Sequence, residues 1–323
     1  MTTSTITKPG VYQLDAEIYH GNCTLTPALS AGFAWNMLKD GGCPAKAWFN
    51  SSLNPDYAPE QKTEFDIGSA AHLLFLEPDR YDAAVHIVRA FTKDGKPSEG
   101  YTSADAKNQR DDARNAGKIP LLPAQAEKVA GMRRAMRNEI PDLPFSTAPK
   151  FADDAFSGGQ AEQSYFWRDE RFGIWCKCRP DYVKPGHVVD YKTSTTADPA
   201  DLKKVAANMG WHVRAAHYLE GHKALTGEDA TYWYVVQEKE APYLTTVGKV
   251  AGAALEWGRI MLPAARAVFA GCLRSNRWPS YSEDAVLVEL PAWAERQLQD
   301  RHDAGEFDPS RYFDLARAWQ APL

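Results

Sequence analysis

Cysteine is scarce in this chain: five residues in 323, an odd number, which argues against a disulfide framework. Long apolar runs are missing as well. None approaches the roughly 18 residues that a membrane-crossing helix needs. The opening segment, Met1 to Pro9, has neither the charged nor the apolar region of a secretion leader, so the expected location is the cytoplasm. Positive charge is not in excess. The net charge of −5 argues against a surface that coats a polyanion throughout, although local distribution matters more than the sum. Internal repeats and low-complexity stretches are also lacking. What the chain does have is 44% hydrophobic residues, enough to bury a sizeable core. The expectation is one elaborated domain over 1–323: a mainly helical part to residue 150, a core over 151–275 and a tail over 276–323.

The most informative stretch lies mid-chain. Two β-prone runs, Ile174 to Val183 and His187 to Thr193, flank the turn sequence Lys184-Pro185-Gly186, which predicts a hairpin. A turn centred on Pro185-Gly186 sets Asp181 opposite Asp190, with Cβ atoms of such partners roughly 5 Å apart. Lys192, two residues on, shares the face of Asp190. Two carboxylates this close repel unless a proton or cation intervenes, and Mg²⁺ or Mn²⁺ is the expected ion because hard cations prefer oxygen. Such an ion lowers the pKa of a bound water and neutralises charge developing on a phosphate, while Lys192 orients the water or steadies the transition state. The same spacing also fits a surface hairpin with ordinary salt bridges, and both readings stay open on these residues alone.

Around this stretch stand weaker signals. Asp66 to Pro78 predicts a helix ended by the proline, with Gly68 and His72 one turn apart. His72 either faces a metal or is a satisfied core histidine. Pro199 to Gly227 predicts one helix, on which Trp211, Arg214 and Tyr218 fall near one face; a stripe of this kind also suits core packing. Basic residues gather at Lys107/Arg110/Arg114/Lys118, at Arg133/Arg134/Arg137, at Lys203/Lys204 and at Lys177/Arg179. The first two groups read as solvated helix faces. A DNA-contacting role is expected only for Lys177, Arg179, Arg214 and Tyr218.

Taken in order, Gly68-x-x-x-His72, Arg179-Pro180-Asp181, Asp190-x-Lys192 and a helix carrying Tyr218 resemble the PD-(D/E)XK nuclease superfamily in its RecB-like form. The closer resemblance is to the exonuclease VIII (RecE-like) proteins of phages and prophages, with Tyr19-His20, Val236 to Tyr243 and Leu290-Pro291-Ala292-Trp293 as further landmarks. The resemblance implies a restriction-endonuclease-like α/β fold, a mixed central β-sheet flanked by helices with a helical N-terminal elaboration. It implies metal binding by His72, Asp181, Asp190 and the backbone carbonyl of Tyr191, with Lys192 as the catalytic lysine. Glu162 joins as an additional or supporting metal residue, or is a solvated strand charge. One departure stands out: the family commonly carries Gln four residues before the helix tyrosine, where this chain has Arg214. Arg also holds a phosphate, and more strongly. Some RecB-like relatives hold an iron–sulfur cluster with four cysteines; Cys23, Cys43 and Cys272 lack clustered spacing, and Cys176 and Cys178 are expected inside, so none is expected here.

The function so implied is Mg²⁺- or Mn²⁺-dependent exonuclease action on double-stranded DNA ends, 5′ to 3′, in phage-type recombination. The implied partners are a single-strand annealing protein and further copies of the chain in a ring. An endonuclease or flap nuclease using the same site, and a non-catalytic DNA-binding assembly subunit, are the alternatives. The remaining elements expected are helices near 27–40, 66–77, 103–138 and 251–271, and strands near 83–89, 161–168, 231–238 and 243–250. Strands grouped with helices at both ends predict a mixed sheet with helices on both faces. Trp293, Tyr312 and Trp319 give the tail aromatic surface to dock on the body or on a neighbour.

Overall fold

A computed structural model describes residues 5–58, 63–92 and 94–312. The front of the chain holds β1 (Gly10–Tyr12), α1 (Ala16–His20), β2 (Ala28–Leu29), α2 (Ala31–Leu38), α3 (Pro44–Phe49), α4 (Thr63–Leu76), α5 (Pro78–Ala84), β3 (Val85–Ile87), α6 (Ala104–Asn115), β4 (Ile119–Leu121), α7 (Pro123–Met136) and α8 (Lys150–Asp154). The core follows with β5 (Gln160–Ala161), β6 (Ser164–Asp169), β7 (Ile174–Cys178), β8 (Tyr182–Lys184), β9 (His187–Ser194), α9 (Pro199–Asn208), α10 (Trp211–Thr226), β10 (Thr231–Glu238), β11 (Thr245–Val250) and α11 (Gly252–Ser275). Local chemistry sets several of these limits. The Ser30 and Ser103 side chains cap α2 and α6, and Asp198 caps α9 with Pro199 in its first turn.

The strands form a five-stranded sheet, ordered β11-β10-β9-β8-β5, a four-stranded sheet, ordered β1-β6-β7-β2, and the pair β3-β4. The larger sheet is mixed: β9 and β10 are parallel, joined by the crossover through α9 and α10, whereas β8–β9 and β10–β11 are antiparallel. Val188, Tyr232, Tyr234 and Val236 on one face pack with α10, α11 and the smaller sheet. Val189, Tyr191 and Val235 on the other pack with α4 and α7. The α/β architecture with helices on both faces is thus present.

Three local expectations are corrected. The run Ile174 to Val183 is not one strand: β7 pairs with β6 in the smaller sheet, and β8 pairs with β9 in the larger one. The chain changes sheets at Arg179-Pro180-Asp181, where the proline has no N–H to continue a ladder. Nor is Pro199 to Gly227 one helix. Gly210 breaks it with a left-handed φ of 65°, and a Cβ there would sit 2.4 Å from the Trp35 ring. Glycine is required on both counts. The polar stretch 103–138 likewise splits into α6 and α7 around β4.

The chain divides into two compact units, Met1–Ser280 and Tyr281–Leu323. The second contains α12 (Ala292–Asp303), on which Trp293 is exposed; the Tyr312 side chain and Trp319 lie outside the described residues. Among the described residues no helix is long and apolar enough to cross a membrane.

Candidate metal centre

The hairpin places its acids as the turn sequence predicts. Lys184 pairs with His187 and Tyr182 with Val189, and Asp181, the residue just before β8, stands next in line with Asp190, the residue after Val189. Gly186, with φ 73°, supplies the left-handed turn residue. Lys192 reaches back over both acids, its Nζ 2.6 Å from Asp190 Oδ2 and 3.5 Å from Asp181 Oδ2. The same ammonium donates to the Tyr191 carbonyl at 3.0 Å. Three oxygens therefore converge on one cationic point.

That carbonyl is held by its own side chain. The Tyr191 hydroxyl donates to Gln237 Oε1 at 2.8 Å, and the Gln237 amide donates to the Met132 carbonyl at 2.8 Å, while Phe75 and Phe156 pack on the ring. The Tyr191 N–H donates to Asp181 Oδ2 at 2.7 Å, tying the two halves of the hairpin together at the site.

From the opposite side α4 brings His72, with Nε2 3.3 Å from Asp181 Oδ2 and Nδ1 3.5 Å from Glu162 Oε1. Gly68 is what lets α4 come so close: a Cβ there would lie 2.9 Å from Thr193 Oγ1 on β9. Sequence reading singled out Gly68 and missed Thr193, whose only signal is its place next to Lys192. Glu162 sits at φ 55°, uncommon for a non-glycine residue, with its N–H donating to the Asp181 carbonyl at 3.0 Å. It is buried rather than solvated. His72, Glu162 and Asp181 offer ligand atoms within 4.8 Å of one another. This group and the oxygens around Lys192 overlap at Asp181.

The electrostatics separate the two aspartates. Burial works against ionisation of Asp181, but the Lys192 ammonium, His72 and the Tyr191 N–H outweigh it and hold its carboxyl well below the usual range. Burial and the neighbouring Asp181 push Asp190 up, against the pull of Lys192 and Arg214. For His72 burial acts downward, yet the Asp181 and Glu162 carboxylates prevail and raise it. Glu162 is raised by burial and by Asp181, against His72 and Arg179.

A hard divalent cation fits this donor set. Asp190 is fully buried, its Oδ2 is met by the Lys192 ammonium at 2.6 Å and its Oδ1 by the Arg214 guanidinium only at 3.8 Å, and a backbone carbonyl and a second carboxylate stand beside the same ammonium. Carboxylate and carbonyl oxygens with one imidazole suit a divalent cation rather than a soft, thiolate-seeking metal.

The decisive comparison is with sequence families. This chain belongs to the family described as a PDDEXK-like domain of unknown function (DUF3799), whose model matches residues 35–291. A crystal structure named "Putative exonuclease" from Eubacterium rectale is similar in fold, with 18% identity and a TM-score of 0.53 over 88% of this chain and 98% of that one. At that identity the likeness concerns the fold. No curated protein matches.

The remaining expected residues of this PDDEXK-like chain divide. Arg214 does reach the site, with Nη1 3.8 Å from Asp190 Oδ1 and its guanidinium over the Tyr218 ring at 5.9 Å. Tyr218 is buried beside it, edge-on to Tyr232. Lys177 and Arg179 turn elsewhere, which corrects their expected place on a DNA-facing surface. Lys177 is buried, and its Nζ donates to the carbonyls of Tyr19 at 2.8 Å and Gly21 at 2.9 Å. Arg179 donates to Glu162, to Ser164 Oγ at 2.7 Å and to the Leu14 carbonyl at 2.7 Å. The face they share is covered by the N-terminal segment.

Proposed function

We propose that this protein is a metal-dependent deoxyribonuclease that hydrolyses phosphodiester bonds from the ends of duplex DNA. The observation that carries this reading is the convergence of Asp181, Asp190 and the Tyr191 carbonyl on the Lys192 ammonium, with His72 against Asp181. Asp181, Asp190, His72 and the Tyr191 carbonyl would hold Mg²⁺ or Mn²⁺, with Glu162 steadying His72 and fixed in turn by Arg179. When bound, such an ion supplies Lewis acidity toward the phosphate and a more acidic water. Lys192 hydrogen-bonds the attacking water or the anionic phosphorus centre, because its ammonium stands beside both aspartates and is 28% exposed. Arg214, 32% exposed, offers a second cation toward the phosphodiester.

Action from ends, 5′ to 3′ polarity, service in recombination in the cytoplasm of a phage host, an annealing partner and ring assembly are supported by the resemblance to RecE-like proteins. The test is digestion of linear duplexes labelled separately at each terminus, beside closed circular duplex, with Mg²⁺ and with chelator. Metal-dependent release of the 5′ label first, with circles intact, is the expected result. Cutting of circles makes the protein an endonuclease. Gel-shifted but uncut DNA under every metal condition makes it a binding subunit.

A further inference from the structure

Asp190 stands in an unusual setting for a prospective metal ligand. It is fully buried on β9 and flanked by two cations from different elements, one of them at hydrogen-bond distance and the other beyond it. Lys192 takes Oδ2 from the same strand, while Arg214 approaches Oδ1 from α10 at 3.8 Å. At that distance the arginine contact is an ion pair without a hydrogen bond, held by charge alone and easily exchanged. The Arg214 backbone is anchored, its N–H donating to the Gly210 carbonyl at 3.0 Å, and the guanidinium lies over Tyr218. Its side chain is nevertheless 32% exposed, so the head can leave Oδ1 toward solvent without unfolding α10.

We propose that Arg214 is an internal competitor of the metal: it occupies Asp190 until a divalent cation takes the carboxylate, and then turns to the phosphodiester. This rests on the nuclease reading and deepens it. A positive charge this near a ligand oxygen opposes a second cation at that oxygen, and a neutral amide donor would not. The exchange couples the two binding events: displacement of the guanidinium from Asp190 frees a phosphate-binding group beside the reacting centre. Arg214 is a positioning and specificity residue in this scheme, and the penalty it imposes on metal falls when DNA is present to receive it.

The experiment is titration of the full chain with Mn²⁺ by calorimetry at low ionic strength, for the wild type, Arg214→Gln and Arg214→Lys. The glutamine variant is expected to bind Mn²⁺ on the order of tenfold more tightly, and the lysine variant to stay within about threefold of wild type. Duplex binding in Ca²⁺ is then followed against salt, where the glutamine variant should lose about one phosphate contact's worth of slope. Unchanged or weaker Mn²⁺ binding by Arg214→Gln overturns the competition, and an unchanged salt slope overturns the transfer to phosphate. Should circular dichroism show that variant unfolded, Arg214→Met keeps an unbranched side chain there, drops the charge and carries the same test. A wild type that binds no divalent cation removes the nuclease reading and this inference together, whereas a wild type that binds and a variant that binds equally removes this inference alone.

Discussion

Two lysine–arginine pairs sit within one short stretch of this fold and do opposite work. Lys177 and Arg179 end chiefly on backbone carbonyls of the N-terminal segment, at Leu14, Tyr19 and Gly21, and both are buried. Lys192 and Arg214 meet on the buried Asp190 carboxylate, at 2.6 and 3.8 Å, and both keep about a third of their side chains open. Residue type does not distinguish the pairs, and neither does strand parity. What distinguishes them is whether the acceptor is already content. A carbonyl that gains a cation completes a hydrogen-bond set and fixes a segment. A buried carboxylate with free lone pairs still has capacity for a metal.

The comparison breaks most decisively at Asp190 and Lys192. Asp190→Asn and Lys192→Ala should each lower metal-dependent hydrolysis by about a thousandfold or more, with thermal stability near wild type, measured by single-turnover cleavage and by melting. Rates within tenfold of wild type in either would place these residues with the structural pair. Next comes Arg179→Ala, which strands buried Glu162 and Ser164 and should cost about 3–5 kcal/mol in denaturant unfolding, the reverse pattern of a large stability loss with only an indirect effect on cleavage through Glu162 and His72.

Lys177 sharpens the contrast through pH. Burial lowers its ammonium from the ordinary 10.5 to about 8. Between those values the unfolded chain binds the proton and the folded one does not, so stability should rise with pH across this window, by up to about 3 kcal/mol. Lys177→Met should flatten that rise, as read from urea midpoints at pH 8 and 10. The smallest effect expected is at Gly68→Ala. Its Cβ would press Thr193 Oγ1, shifting α4 and His72 and slowing cleavage by about tenfold with little change in stability, since alanine favours a helix by about 1 kcal/mol. Adding Thr193→Ala should recover much of the rate if close approach is the cause.

Most of the site was legible because its information is local. The Pro185-Gly186 turn fixes the register, the register sets Asp181 opposite Asp190, and strand periodicity brings Lys192 beside them. The order of core elements from β6 to α11 follows from hydrophobic patterning and turn residues. What escaped is non-local. Gly210 breaks a helix because Trp35, far away in the chain, lies against it. Parity puts Lys177 and Arg179 on one face but does not reveal that the N-terminal segment covers that face. The exchange of sheets at Pro180 is equally invisible, since a β-prone run does not name its partner strand.

The carbonyls that secure Lys177 and Arg179 come from residues 14, 19 and 21, upstream of the span that the family model recognises, which begins at residue 35. A protein trimmed to that boundary would keep every prospective ligand yet leave two interior cations without their acceptors, with Asp181 two residues from the loosened arginine. The prologue of the chain is therefore a brace for the candidate metal centre, and the smallest intact domain is longer than the span the family model recognises.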